Sequence, residues 1–121
     1  MFDTGALIAL ERGQQSIRKV HRLANEMGVP LVATTPVVAE WWRRGKREKE
    51  RRAILRTLLL EAPDEHVAQL AGAAIGLVGS GVVDALVMAA ASLRGDLVYT
   101  SDVPDLERLR QVFPNVLVEH V

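Results

Sequence analysis

The chain has no cysteine. That excludes disulfide scaffolds, thiolate zinc sites and cysteine nucleophiles, and it is compatible with a reducing cytoplasm. Net charge is absent too. Lys+Arg and Asp+Glu each number 15, so the overall balance points to no partner. The three histidines, His21, His66 and His120, are scattered without ligand spacing and read as surface or incidental residues. Ser16, Ser80, Ser92 and Ser101 lie in no nucleophile-elbow context, and no glycine pattern forms a phosphate loop or dinucleotide fingerprint. The N-terminus lacks a basic region followed by a long apolar one, so no signal peptide is expected. The stretch from Val67 to Leu93 carries a single charge, Asp84, and the spacing Gly72-xxx-Gly76. Its Gly79-Ser80-Gly81 break and the polar Gln69, Ser80 and Asp84 argue against a membrane span. Repeats, low-complexity segments and linkers are also missing, so residues 1–121 are expected to form one domain.

What remains is a globular composition, 49% hydrophobic and 25% charged. Short strand-like pieces alternate with helix-like ones. Thr4 to Leu10 reads as a strand end turning into a helix. Gln14 to Met27 is amphipathic through Ile17, Val20, Leu23, Ala24 and Met27, with Gly28 as its cap. Leu31-Val32-Ala33 is a strand candidate, and Thr35-Pro36 reads as the N-cap and first residue of a helix reaching Arg44. Lys46 to Leu60 reads as a charged helix with Ile54, Leu55, Leu58 and Leu59 on its apolar side. Helices follow from Pro63-Asp64 and from Val82, then a strand at Leu97–Thr100, a short helix from Pro104 to Val112 and a last strand at Val116–Val118. This alternation predicts an α/β fold with a mainly parallel sheet. Only two residues precede Asp3, so the first strand is expected to be very short, or clipped from a chain that begins upstream of Met1.

In an open parallel sheet, ligands bind beyond the carboxyl ends of the strands. Four carboxylates fall there. Asp3 and Asp102 directly follow strands, Glu40 lies in the second turn of the helix after the Leu31–Ala33 strand, and Asp84 lies in the first turn of the Val82 helix. Asp84 shares its helix side with Val87, Met88 and Ala91; it reads either as a first-turn acid favoured by the helix dipole or as a metal ligand. Glu40 lies among apolar neighbours, Asp3 suits a helix cap, Asp102 suits a turn or cap, and Asp105 suits a first-turn helix acid. Jointly, clustered carboxylates repel unless cations hold them. An oxygen-only donor set selects Mg²⁺ or Mn²⁺ over zinc.

The motifs Asp3-Thr4-Gly5-Ala6-Leu7-Ile8, Pro36-Val37-Val38-Ala39-Glu40, Val83-Asp84-Ala85-Leu86-Val87-Met88 and Leu97-Val98-Tyr99-Thr100-Ser101-Asp102, with Asp105-Leu106 behind, resemble a PIN domain. The chain is most similar to VapC-type toxin ribonucleases of bacterial and archaeal toxin–antitoxin pairs, over essentially its whole length. The resemblance implies a three-layer α/β/α sandwich and endonucleolytic RNA cleavage dependent on Mg²⁺ or Mn²⁺. It implies a site built from Asp3, Glu40, Asp84 and Asp102, with Thr4, Thr100 and Asp105 as accessory candidates. It further implies a homodimer and a small VapB-like antitoxin that blocks the site. The departure is the short segment before Asp3, where the family normally has a few apolar residues.

Charge is unevenly distributed. Residues 43 to 56 carry eight bases and two acids, so Arg43, Arg44, Arg47 and Arg51 are candidate contacts to an RNA backbone; the competing reading is a solvated helix with internal Glu–Arg pairs. Trp41-Trp42 reads as packing rather than base stacking. The leading expectation is a cytoplasmic metal-dependent endoribonuclease; the alternative is a PIN-like module that binds RNA or protein without cutting. A receiver domain is disfavoured because Thr100-Ser101-Asp102 stands where a lysine is needed. A haloacid-dehalogenase-type phosphatase is disfavoured because Gly5 stands where a second Asp is needed.

Overall fold

The computed structural model describes residues 1–43 and 47–121. In chain order these form α1 (Thr4–Glu11), α2 (Gln15–Met27), β1 (Val32–Thr34), α3 (Thr35–Trp42), α4 (Glu48–Leu55), β2 (Leu59–Glu61), α5 (Glu65–Val78), α6 (Val82–Arg94), β3 (Leu97–Thr100), α7 (Val103–Leu109) and β4 (Leu117–His120). Local chemistry sets many of these boundaries. The Asp3 carboxylate accepts the Ala6 N–H at 2.8 Å and starts α1, and the Asp64 carboxylate accepts the Val67 N–H at 2.9 Å and starts α5. Gly28 and Gly95 end α2 and α6 at φ 68° and 70°, left-handed conformations without steric cost only for glycine.

All strand pairing is parallel. Val32, Ala33 and Thr34 pair with Leu59, Leu60 and Glu61. Leu97 to Thr100 pair with Leu117 to His120. Residues 1–3 join the two pairs. The Met1 ammonium donates to the Leu97 carbonyl at 2.7 Å, the Tyr99 N–H donates to the Met1 carbonyl at 2.9 Å, and the Asp3 N–H donates to the Tyr99 carbonyl at 3.2 Å. On the other side the Phe2 N–H donates to the Val32 carbonyl at 2.8 Å. The sheet therefore runs β2, β1, residues 1–3, β3, β4, and the short segment before Asp3 occupies its centre. Phe2 is fully buried and meets Tyr99 edge-to-face with ring centroids 5.7 Å apart.

Every residue of β1 is buried, which a strand achieves only with cover on both faces. Helices provide it, giving the α/β/α layering. Leu7, Ile17, Val37, Val87, Met88, Val98, Leu106 and Leu109 make up the largest part of the core. Trp41 belongs to it at 3% exposure and packs edge-on against Trp42, in keeping with a packing role. Among the described residues no helix is long and apolar enough to cross a membrane.

Several boundaries differ from expectation. The charged helix expected over 46–60 ends at Leu55: the Thr57 hydroxyl turns back to donate to the Ile54 carbonyl at 2.6 Å, and Leu59 and Leu60 become the edge strand β2. The α3 cap is Thr34 rather than Thr35, with Pro36 still in the first turn. β1 is displaced by one residue, α7 ends three residues earlier than expected, and β4 runs from Leu117 to His120.

Candidate active site

The strands end along one edge, and α1, α3 and α7 start immediately after residues 1–3, β1 and β3. That connectivity sends Asp3, Glu40 and Asp102 to the same end of the sheet, and α6 brings Asp84 in its first turn. Asp3 is 5% exposed. Burial raises its carboxyl, opposed by hydrogen bonds from the Thr100 hydroxyl and the Ala6 and Gly5 amides, while the charge of Asp102 pushes it further up. Thr100 is fully buried, and its Oγ1 also accepts the Asp102 N–H at 2.8 Å. One hydroxyl thus joins two candidate ligands, donating to one and accepting from the backbone of the other. Glu40 is exposed and held by the Thr4 hydroxyl, which donates to its Oε1 at 2.5 Å.

Asp84 senses all the others. Its carboxyl is pushed up to about 6, first by burial and then by the charges of Asp3, Asp105, Glu40 and Asp102. The cap of α6 is Gly81, with no side-chain capping bond. Asp102 is exposed and occupies the cap position of α7 without a side-chain cap bond. A hydrogen bond with Asp105 raises its carboxyl, and Arg108 opposes the rise. Asp105 also pairs with Arg108 at 3.0 Å.

The donors are oxygens throughout, which suits a hard divalent cation. Burial first and like charge after it raise Asp3 and Asp84, and a hydrogen bond with Asp105 raises Asp102; a cation would relieve the like-charge part of these shifts. Among the described residues no group of three or more His, Asp or Glu side chains is drawn together closely enough to hold an ion as it stands.

No family model matches this chain, and no curated protein matches its sequence. Among solved structures the chain is similar to one chain of VapBC2 from Rickettsia felis, crystallised bound to a DNA fragment from their promoter. The TM-score is 0.79 at 16% identity, with 100% of this chain and 97% of that one covered. The likeness shows that the two chains share one α/β fold.

The basic run is broken up by the fold. Arg43 and Arg47 are exposed, and Arg44 lies outside the described residues. Arg51 is corrected from candidate RNA contact to packing residue: it is 7% exposed and its Nε donates to Glu11 on α1. Arg52 is occupied by Glu48 at 2.6 Å. The sequence reading also missed how closely α1 approaches the loop after β3. A Cβ on Gly5 would lie 2.0 Å from the Ser101 Oγ, 3.1 Å from its Cβ and 3.2 Å from its N. The signal was a glycine in a first helical turn, where that residue costs helix stability.

Proposed function

We propose that this chain is a divalent-metal-dependent endoribonuclease acting as the toxin of a cytoplasmic toxin–antitoxin pair. The observation that carries the reading is Asp84, whose carboxyl feels the charges of Asp3, Asp105, Glu40 and Asp102 at the carboxyl edge of a parallel sheet. Asp3, Glu40, Asp84 and Asp102 would hold Mg²⁺ or Mn²⁺. When bound, the cation supplies charge neutralisation at the scissile phosphate and a lowered pKa for the attacking water. The chain's own residues prepare the site. Thr100 opposes the rise that burial imposes on the Asp3 carboxyl, and Thr4 fixes Glu40 across the α1–α3 boundary. Asp105 shares a hydrogen bond with Asp102 and raises its carboxyl.

The toxin reading rests on the fold shared with a chain of a VapBC complex. By that likeness the partner is a small VapB-like antitoxin; the homodimer rests on the sequence resemblance alone. The test is RNA cleavage in Mg²⁺ by the parent protein and by Asp84→Asn. Cleavage is expected to fall by at least about a hundredfold, since the cation contributes both nucleophile activation and charge stabilisation. A folded Asp84→Asn protein with full activity overturns the assignment.

A further inference from the structure

The acids at the carboxyl edge are acceptors once ionised, and a phosphodiester brings only acceptor oxygens of its own. Besides a cation, such a site needs donors that face the substrate. Two hydroxyls at this edge are spent within the fold: Thr100 donates to Asp3, and Thr4 donates to Glu40. Arg108 is paired with Asp105.

The register of the sheet brings up another donor. Phe2 bridges Tyr99 in parallel, and β3 pairs with β4 so that Tyr99 lies beside Glu119 and Thr100 beside His120. Side chains alternate between the two faces along a strand. Phe2, Tyr99 and Glu119 therefore share one face, and Asp3, Thr100 and His120 share the other. The hydrogen bond from the Thr100 hydroxyl to Asp3 marks that second face as the one bearing the acid. The Val121 N–H donates to the Thr100 carbonyl at 2.9 Å and carries the pairing past His120. At about 4.8 Å between neighbouring strands, the His120 backbone stands one strand from Thr100 and two from Asp3.

The His120 ring is exposed, and among the described residues no hydrogen bond or ion pair engages it. The other two histidines stand elsewhere. His66 lies in the first turn of α5. His21 lines the cleft on α2 among Arg18, Lys19, Arg22, Leu10 and Ile54, and its Nε2 meets the Thr57 hydroxyl at 2.8 Å. His120 alone ends a strand at the edge where ligands of a parallel sheet bind. In either protonation state at least one of its ring nitrogens donates.

We propose that His120 donates a ring N–H to a phosphate oxygen of the RNA bound at the acids. This rests on the nuclease reading and makes His120 a substrate-binding residue, one that fixes the strand's position without reading its sequence.

The experiment scores binding and cutting separately, with the parent protein, His120→Ala and His120→Gln. Glutamine keeps an N–H donor and carries no charge. Melting temperatures are compared first and should agree, because the ring is exposed and unengaged. Affinity for a short fluorescent single-stranded RNA is then measured in Ca²⁺, which accepts the same oxygen ligands as Mg²⁺ in a looser geometry. Cleavage is measured in Mg²⁺. A hydrogen bond to a charged group corresponds to about tenfold or more in affinity, so His120→Ala should raise Kd by that factor. A contact made equally before and during reaction raises KM and leaves kcat in place. His120→Gln should recover most of both losses. An unchanged Kd in His120→Ala overturns the proposal, as does a loss that glutamine fails to restore or that comes with a lowered melting temperature. Weakened binding by His120→Ala beside a parent that does not cleave removes the nuclease reading and keeps the contact. Cleavage by the parent with unaltered Kd and KM in His120→Ala does the reverse. A parent that binds no RNA overturns both.

Discussion

Asp84 stands in the first turn of α6, where the helix dipole favours a carboxylate, yet its carboxyl is pushed up from 3.8 to about 6. Burial and four neighbouring acids outweigh the dipole. The consequence for stability has a definite sign. Between about pH 4 and 6 the folded, metal-free chain binds more protons at Asp84 than the unfolded chain does, so this group makes stability fall as pH rises. Asp84 is only partly buried, and solvent screening holds the effect to the order of 1 kcal/mol. Asp84→Asn should therefore be at least as stable as the parent in EDTA at pH 7. Its denaturant midpoint should also depend less on pH between 4 and 7. Equal pH slopes in the two proteins would contradict the cluster. Thr100→Val removes the hydroxyl that donates to Asp3 and accepts from the Asp102 N–H. It should cost about 1–3 kcal/mol and push the Asp3 carboxyl further up, visible as a later carboxyl titration by NMR. The strand-end positions of Asp3 and Asp102 were legible from alternation and turn chemistry. The Thr100 bridge was not, because it depends on Asp3 and Asp102 meeting across 99 residues of chain.

Among the elements, α4 shows best where local pattern misleads. Ile54, Leu55, Leu58 and Leu59 carry helical spacing, but the edge of β1 offers unpaired backbone groups. Leu59 to Glu61 pair with them at the cost of leaving Leu59 55% exposed. The charge run misled for a related reason: solvent-facing and core-facing arginines look alike in sequence. Arg51 turns inward to Glu11, with side chains 9% and 8% exposed, and ties α4 to the helix that carries Asp3. Removing one member leaves a buried charge. Glu11→Gln should thus cost about 3–5 kcal/mol in urea unfolding, whereas Glu11→Met with Arg51→Met should recover most of it. If the double variant is no better than the single one, the pair is not what holds α4. Gly5 gives a second test between elements. In an open helix Gly→Ala gains about 1 kcal/mol. Here the added methyl meets Ser101 on the loop after β3, so Gly5→Ala should destabilise, and Ser101→Gly in the same chain should restore the loss. A stabilised Gly5→Ala protein would show that α1 and the loop are not in close contact.

On the scale of the whole molecule, a chain of zero net charge separates its charges in space. Acids gather at the carboxyl edge of the sheet, and cations line the cleft on α2. Fold class and the acidic edge were readable because alternation and strand-end placement follow from local pattern. The cationic cleft was not, because Arg18, Lys19 and Arg22 look like any solvated helix face until Leu10 and Ile54 are brought beneath them. Burial and neighbouring acids hold Asp3 and Asp84 above their ordinary range when no metal is bound. A divalent cation binding only the native state relieves this, adding about 2.7 kcal/mol at a hundredfold excess over Kd. Protons compete for the same oxygens, so the gain should shrink with acidity. With Asp84 titrating at about 6, the rise in Tm between EDTA and millimolar Mg²⁺ should be large at pH 7.5 and small at pH 5. In EDTA alone Asp84 should make Tm fall as pH climbs through that interval. Thermal unfolding at both pH values, with and without Mg²⁺, measures every term. A Mg²⁺ effect of equal size at pH 5 and 7.5 would place any bound ion away from these carboxylates, and no effect at either pH would remove the shared metal site altogether.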